Sequence, residues 1–160
     1  MATASLLPVI GKPAPDFTLP SSTGESVSLK SFKNKKTVVL YFYPKDDTPG
    51  CTKEACGFRD LTAEFEKVGA VILGVSNDPV DSHVKFREKF KLPFELLADE
   101  DASVSKAYGV YKQKNLYGKK YMGIERTTFI IDRTGRIAQI YPKAKVDGHV
   151  ADVLAFLGED

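Results

Sequence analysis

Two cysteines stand close together directly after a turn-forming stretch, and they are the only two in the chain. Thr48 is predicted as the N-cap of a helix and Pro49 as its first residue, which places Cys51 in the first turn. The unpaired N–H groups and the helix dipole there favour a thiolate, the nucleophilic form of cysteine. Cys51 is therefore predicted to be a reactive thiol. The alternative is a pair of inert core residues, because free cysteine is among the most buried residue types.

The second cysteine, Cys56, follows Cys51 by five residues. On an ideal helix this spacing places the two Cα atoms ~8.7 Å apart. A disulfide requires a Cα separation below ~7 Å. Either the two thiols never bond to each other, or the helix unwinds by about one turn whenever they do.

Other cysteine chemistries fit this sequence less well. Structural zinc needs about four closely spaced ligands, whereas the two histidines, His83 and His149, are far apart, so no metal site is expected. A cysteine hydrolase needs a partner base, and a lone histidine is more often a surface residue or a hydrogen-bonded core residue. A thioredoxin-type dithiol has the spacing Cys-x-x-Cys, which is shorter than the spacing here.

The composition predicts one compact domain spanning residues 1–160. The chain is 42% hydrophobic and 28% charged, which is typical of a globular domain with a sizeable core. Its formal net charge of +2 gives no electrostatic reason to expect nucleic acid or an anionic membrane as a partner. The longest apolar runs, such as Val38–Tyr43 and Ala70–Val75, are far shorter than the ~20 residues that span a bilayer.

The first residues of the chain show neither the basic and apolar regions of a signal peptide nor an Arg-rich transit peptide. A reducing, cytoplasmic setting is therefore expected. An organelle reached after removal of a leader is the alternative. Two cysteines are also too few for a secreted disulfide scaffold of this length.

The hydrophobic pattern predicts an α/β protein with a mixed central sheet and helices on both faces. The loop Pro44–Gly50 leaves the carboxyl end of a buried strand, where ligands bind in such sheets. The Lys- and Tyr-rich segment 111–123 is expected to be a solvated loop, with nucleic-acid binding as a weaker alternative. The predicted elements are an N-terminal hairpin over 17–29, strands over 37–43, 70–76 and 94–99, helices over 52–68, 80–92, 101–110 and 148–157, and a hairpin over 127–141.

The cysteine stretch resembles the peroxiredoxins. Their signature Pro-x-x-x-Thr-x-x-Cys stands here as Pro44 to Cys51, and Tyr43 to Cys56 match the longer form Tyr-Pro-x-x-x-Thr-Pro-Gly-Cys-Thr-x-x-Ala-Cys in full. That longer form is typical of the bacterioferritin comigratory protein or peroxiredoxin Q group. The segments "GKPAPDFTL" and "RTTFIID" also resemble family sequences, so the likeness covers nearly the whole chain.

The resemblance implies a thioredoxin-like fold and the reduction of hydrogen peroxide and organic hydroperoxides without a metal or organic cofactor. Cys51 takes the place of the peroxidatic cysteine and Cys56 that of the resolving cysteine in the same helix. Thr48 takes the place of the hydroxyl that contacts the peroxide, Pro44 that of the residue that shields the site, and Arg126 that of the active-site arginine.

Further implications of the resemblance concern the surroundings of this chemistry. Glu54 stands where the family often has Glu or Gln linked to the arginine network. An external dithiol protein, thioredoxin or glutaredoxin, would reduce the disulfide between Cys51 and Cys56. The C-terminal cysteine that other peroxiredoxins use across a dimer is absent, so the resemblance implies a monomer.

Two other functions remain open at this point. A thiol–disulfide oxidoreductase could pass electrons between proteins without acting on peroxide. A noncatalytic holdase or binding module could carry the cysteines incidentally. Consumption of a hydroperoxide, coupled to a dithiol reductant, discriminates the peroxidase from both.

Overall fold

Residues 7–158, the part of the chain that the computed structural model describes, contain nine strands, five α-helices and a 3-10 helix at Leu29–Phe32. No helix among these residues is long and apolar enough to cross a lipid bilayer. In chain order the elements are β1 (Thr18–Pro20), β2 (Ser26–Ser28), β3 (Thr37–Phe42), α1 (Pro49–Asp60), α2 (Thr62–Lys67), β4 (Ala70–Ser76), α3 (Val80–Phe90), β5 (Glu95–Ala98), α4 (Ser103–Ala107), β6 (Tyr111–Leu116), β7 (Lys119–Ile124), β8 (Thr127–Ile131), β9 (Ile137–Tyr141) and α5 (His149–Gly158).

Five strands form the central sheet in the order β5-β4-β3-β8-β9. The strands β3, β4 and β5 are parallel, whereas β8 lies antiparallel to β3 and β9 antiparallel to β8. The sheet is therefore mixed, as expected from the sequence. Its middle strand is β3, in which every residue from Val38 to Phe42 is buried. A strand covered on both faces reads as one continuous apolar run, which explains the sequence pattern there.

Each face of the sheet packs its own hydrophobic core, because successive side chains of a strand point to opposite faces. On one face Leu40 and Phe42 pack with the β1–β2 hairpin and with Tyr108 after α4. On the other face Val39 and Tyr41 pack with residues of α1, α2, α3 and α5. Helices thus cover both faces, and the predicted N-terminal hairpin is present as β1 paired with β2.

The expectation of a loop over 111–123 is wrong. This segment forms an antiparallel hairpin, β6 paired with β7, in a separate two-stranded sheet. Tyr117 and Gly118 at its tip both have positive φ, 51° and 80°, the pattern of a two-residue type I′ turn. Both faces of the ribbon carry polar side chains, so the apolar alternation that usually marks a strand is missing.

The single helix expected over 52–68 is two helices, which meet at Leu61 (φ −111°, ψ 12°). The carbonyl of Phe58 accepts bonds from the Leu61 N–H (3.2 Å) and from the Thr62 hydroxyl (2.9 Å). The hydroxyl thereby takes the acceptor that the Thr62 N–H would use in a continuous helix. A new run of helical bonds then begins with the Phe65 N–H donating to the Leu61 carbonyl.

The carboxyl ends of β3 and β4 lie side by side, because Phe42 pairs with Val75 and the Tyr43 N–H donates to the Val75 carbonyl. The loop Pro44–Thr48 leaves the sheet at this edge and leads directly into α1. The cysteine segment therefore lies at the edge of the sheet where α/β proteins bind their ligands.

Candidate active site

Cys51 is the third residue of α1 and is 1% exposed. The helix begins at Pro49, as the sequence predicts, and the Thr52 N–H donates to the Thr48 carbonyl at 2.8 Å. Proline suits the first helical position, because its missing N–H would have no partner there. The thiol therefore lies in the first turn of α1. It packs in the core on the face of the sheet that α1, α2, α3 and α5 cover.

Thr48 occupies the N-cap position, but its hydroxyl does not cap the helix. It donates instead to the carbonyl of Lys45 at 3.0 Å. Asp47 between them has a left-handed φ of 59°, and this turn folds the loop back on itself. Because the hydroxyl proton is engaged, the oxygen lone pairs of Thr48 remain as acceptors. The expected side-chain cap is thus replaced by a bond within the loop.

Arg126 connects two residues of α1. Its Nη2 donates to the Sγ of Cys51 at 3.4 Å and its Nη1 donates to Oε1 of Glu54 at 2.5 Å. Arg126 lies between β7 and β8, and its carbonyl accepts a bond from the N–H of Ala144 at 2.8 Å. The structure thus brings together Cys51, Glu54 and Arg126, as the resemblance implies.

Burial governs the electrostatics of this cluster. It raises the pKa of Glu54 from 4.5 to about 7, although the Arg126 guanidinium opposes this shift. Burial lowers the pKa of Arg126, but Glu54 and Cys51 outweigh it and hold that pKa above its ordinary value. Arg126 therefore remains a cation beside the sulfur. The second carboxyl oxygen of Glu54 has no hydrogen-bond partner among the described residues, and the Nε2 of His149 lies 3.9 Å away.

Gly50 has a role in this geometry that sequence reasoning missed. A Cβ atom at this position would lie 3.2 Å from Nη2 of Arg126. The absence of a side chain lets the guanidinium approach the first turn of α1 closely. The sequence shows Gly50 only as part of a turn, and no local signal reveals that an arginine from a distant part of the chain reaches it.

Cys56 is half-buried on the same helix, near the loop before α5, and both cysteines are free thiols. The helix is continuous between them, which agrees with the expectation that they do not bond while α1 is intact. Pro44 is half-buried at the start of the loop. Its shielding role and the resolving role of Cys56 remain predictions.

Comparison with known proteins identifies the family. Residues 10–140 match the family model described as AhpC/TSA. The chain belongs to this family. It is 51% identical to peroxiredoxin Bcp of Bacillus subtilis (strain 168), over 92% of this chain and 94% of that protein. It is 44% identical to peroxiredoxin Bcp of Escherichia coli (strain K12), over 93% and 95% of the two chains.

A solved structure of the Xanthomonas campestris bacterioferritin comigratory protein is 42% identical, with a TM-score of 0.86 over 93% of this chain and 97% of that one. A reduced 2-Cys peroxiredoxin from Plasmodium vivax is 26% identical, with a TM-score of 0.78 over 92% and 93% of the two chains. These similarities confirm the predicted thioredoxin-like fold and the peroxiredoxin Q group. The chain is a peroxiredoxin and hence a cysteine-dependent peroxidase.

Both histidines of this peroxiredoxin are buried and hydrogen-bonded. His83 lies 2.7 Å from Oδ2 of Asp46, and the Nε2 of His149 lies 2.7 Å from the hydroxyl of Thr128. Burial lowers the pKa of His149, although Asp152 opposes this shift. Neither histidine forms a hydrogen bond to Cys51 among the described contacts, so the arrangement does not match a cysteine–histidine hydrolase.

Proposed function

We propose that this peroxiredoxin reduces hydrogen peroxide and organic hydroperoxides at Cys51 and completes its cycle through Cys56. The observation that carries the proposal is the buried first-turn sulfur of Cys51 with the Arg126 guanidinium 3.4 Å away. The Xanthomonas campestris relative is described by its alkyl peroxide reduction activity, which supports organic hydroperoxides as one substrate class.

In the first step the thiolate of Cys51 attacks one peroxide oxygen, so that an S–O bond forms and the O–O bond breaks. Cys51 becomes a sulfenic acid, and the departing oxygen takes a proton to leave as water or an alcohol. Arg126 donates to the negative charge that develops on the reacting atoms, and such fixed donors supply much of an enzyme's acceleration. The free lone pairs of the Thr48 hydroxyl accept a hydrogen bond from the protonated oxygen of the peroxide.

In the second step the thiol of Cys56 condenses with the sulfenic acid of Cys51, which forms a disulfide and releases water. A dithiol protein such as thioredoxin or glutaredoxin then reduces this disulfide and is itself oxidised. Both cysteines of the chain lie in α1, so no other thiol is left to bridge two subunits, which supports a monomer. This thiol chemistry suits a reducing compartment such as the cytoplasm.

Oxidation should produce a Cys51–Cys56 disulfide within one chain and unwind α1. We expect amide exchange to rise across residues 49–57 of the peroxide-treated protein, while exchange in β3 and β4 stays slow, because the intact helix holds the thiols too far apart. Peptide mapping and hydrogen exchange measure these two effects. Disulfide-linked dimers as the main product, or a helix that keeps its protection, would contradict the single-helix mechanism.

The matched control for this experiment is Cys56→Ser. This variant should reduce one equivalent of peroxide through Cys51 and then stop as the sulfenic acid, or oxidise further. Its α1 should keep the exchange protection of the reduced protein. Loss of protection in this variant would show that sulfenic acid formation alone unwinds the helix.

The docking of α1 should also depend on pH through Glu54. Because the pKa of Glu54 is about 7 when α1 is docked and returns to about 4.5 when the helix unwinds, the docked form retains the proton that the unwound form loses. The docked form should therefore weaken as pH rises from about 4.5 to about 7, by on the order of 3 kcal/mol, and change little above that.

Hydrogen exchange of α1 between pH 4.5 and pH 8, corrected for intrinsic rates, measures this dependence. A Cys51→Ser background keeps oxidation of the Cys51 thiol out of the measurement. We expect the Glu54→Gln substitution in that background to abolish the pH dependence, because glutamine keeps an acceptor for Arg126 but does not titrate. If the Glu54→Gln variant shows the same change of α1 exchange with pH, the pH dependence arises from another group.

A further inference from the structure

Asp46, in the loop before α1, is the centre of a buried polar cluster. Its Oδ1 accepts a bond from the hydroxyl of Tyr43 at 2.5 Å, and its Oδ2 accepts one from the hydroxyl of Ser82 at 2.7 Å. The Nδ1 of His83 lies 2.7 Å from the same Oδ2. The His83 side chain is fully buried and that of Asp46 is 4% exposed.

His83 forms hydrogen bonds through both of its ring nitrogens. Its Nε2 faces the backbone carbonyl of Leu97 at 2.9 Å, and a carbonyl only accepts, so Nε2 carries a proton. Its Nδ1 is hydrogen-bonded to Oδ2 of Asp46, and the two oxygens of Asp46 also accept from Tyr43 and Ser82. Both ring nitrogens are thus engaged, and the cluster contains a buried, hydrogen-bonded His83–Asp46 pair.

This pair joins three parts of the fold. Asp46 belongs to the loop, His83 and Ser82 belong to α3, and Leu97 belongs to β5. The loop backbone is held as well, because the N–H of Asp46 donates to Oδ2 of Asp78 at 2.8 Å. Removing one partner of such a pair is costly, since the polar group that is left stays buried without a hydrogen-bond partner.

We propose that Asp46 is a positioning residue for the peroxidase reaction, which through His83 fixes the loop Pro44–Thr48 and thereby the Thr48 hydroxyl. The hydroxyl of Thr48 donates to the Lys45 carbonyl, so the path of this loop sets the direction of its lone pairs. A displacement of a reacting group by about 1 Å can cost ~100-fold in rate. The proposal rests on the proposed function, in which Thr48 contacts the peroxide.

The same contacts should keep the loop in place while α1 unwinds. None of the side chains that hold Asp46 belongs to α1, so they remain where they are when the helix opens. The loop then forms the fixed end of the segment that rearranges, and Thr48 returns to the same position after each disulfide is reduced.

The ligand atoms of Asp46, Asp78 and His83 lie within 4.8 Å of one another, a spacing that a metal ion could bridge. Hydrogen bonds within the protein occupy these atoms instead. Oδ2 of Asp78 accepts from the Ser76 hydroxyl and from the Asp46 N–H, and both nitrogens of His83 are engaged. The cluster is thus satisfied by the protein's own donors, and we assign it to positioning.

The test is the second-order rate constant for Cys51 oxidation by hydrogen peroxide, measured in the Cys56→Ser background so that only the first step contributes. We expect Asp46→Ala to slow this step at least ~10-fold. Asp46→Asn should stay within about 3-fold of the parent, because its amide can donate to Nδ1 of His83 and its carbonyl can accept from Tyr43.

Asp99→Ala is the matched control. Asp99 is also buried, and its carboxyl oxygens accept three bonds, all from Val104 and Ser105 of α4. Urea unfolding of each variant shows the loss of stability. If Asp46 has only a structural role, Asp46→Ala and Asp99→Ala should slow the oxidation of Cys51 equally when they lose the same stability. That result would overturn the proposal.

If Asp46→Ala does not fold, Tyr43→Phe takes its place in the test, because this substitution removes a single donor to Asp46. An unchanged oxidation rate in Tyr43→Phe would then overturn the proposal.

Amide exchange of residues 44–48 tests the attachment of the loop without peroxide, and it should rise in the same variants. Absence of peroxide turnover in the parent protein would refute the proposed function, whereas normal turnover with an unaffected Asp46→Ala would refute the positioning role alone.

Discussion

Replacing Cys51 with serine should abolish peroxide reduction. The attack requires a thiolate beside a fixed cation, and Cys51 is the cysteine whose sulfur accepts the bond from Arg126. A serine hydroxyl remains protonated at neutral pH and is a far weaker nucleophile. Consumption of hydrogen peroxide and of an organic hydroperoxide, with a dithiol reductant in excess, should fall to the rate of the reductant alone.

Cys56→Ser is the control for this prediction, because it removes the other thiol of the chain and leaves the arginine contact intact. It should still consume the first equivalent of peroxide at the parent rate. Substantial turnover by Cys51→Ser would show that the reacting thiol is elsewhere and would remove the assignment of Cys51.

Replacing Arg126 with alanine should slow the oxidation of Cys51 by ~10²–10³-fold, the usual cost of losing one preorganised donor. The guanidinium contacts both the sulfur of Cys51 and the carboxyl of Glu54, so its loss also leaves that buried carboxyl without a cation. Stopped-flow measurement of the second-order rate constant with hydrogen peroxide tests this expectation.

Two further arginine variants make this test specific. Arg126→Lys keeps the charge but loses the planar fork that bonds to two partners at once, and we expect it to be intermediate. Arg87→Ala removes an arginine that donates to the Phe94 carbonyl, and its rate should equal that of the parent. A rate for Arg126→Ala within a few-fold of the parent would make Arg126 a structural residue.

Much of the sheet is predictable from the sequence because burial leaves a clear pattern. The run Val38–Phe42 is apolar and buried throughout, and it belongs to β3, the central strand. The site is predictable for a different reason. Arg126 lies 75 residues after Cys51, and no spacing rule joins two residues so far apart. Only the likeness to peroxiredoxins placed them together.

The features that sequence reasoning missed depend on polar side chains and their hydrogen bonds, which leave no hydrophobic pattern in the sequence. The β6–β7 hairpin faces water on both sides, so its strands lack apolar alternation. The end of α1 depends on the Thr62 hydroxyl taking the carbonyl of Phe58. The Asp46–His83 pair joins residues that are 37 positions apart, and each of them alone is an ordinary loop or helix residue.

The interruption at Leu61 limits how far a redox change spreads through the protein. Hydrogen bonding is cooperative along a continuous helix, so opening one end weakens the turns that follow. At Leu61 that cooperativity is broken, and α2 forms a separate unit whose Phe65 is fully buried. If α1 opens in each cycle as proposed, the opening therefore ends at Leu61, and α2 keeps Phe65 in the core throughout.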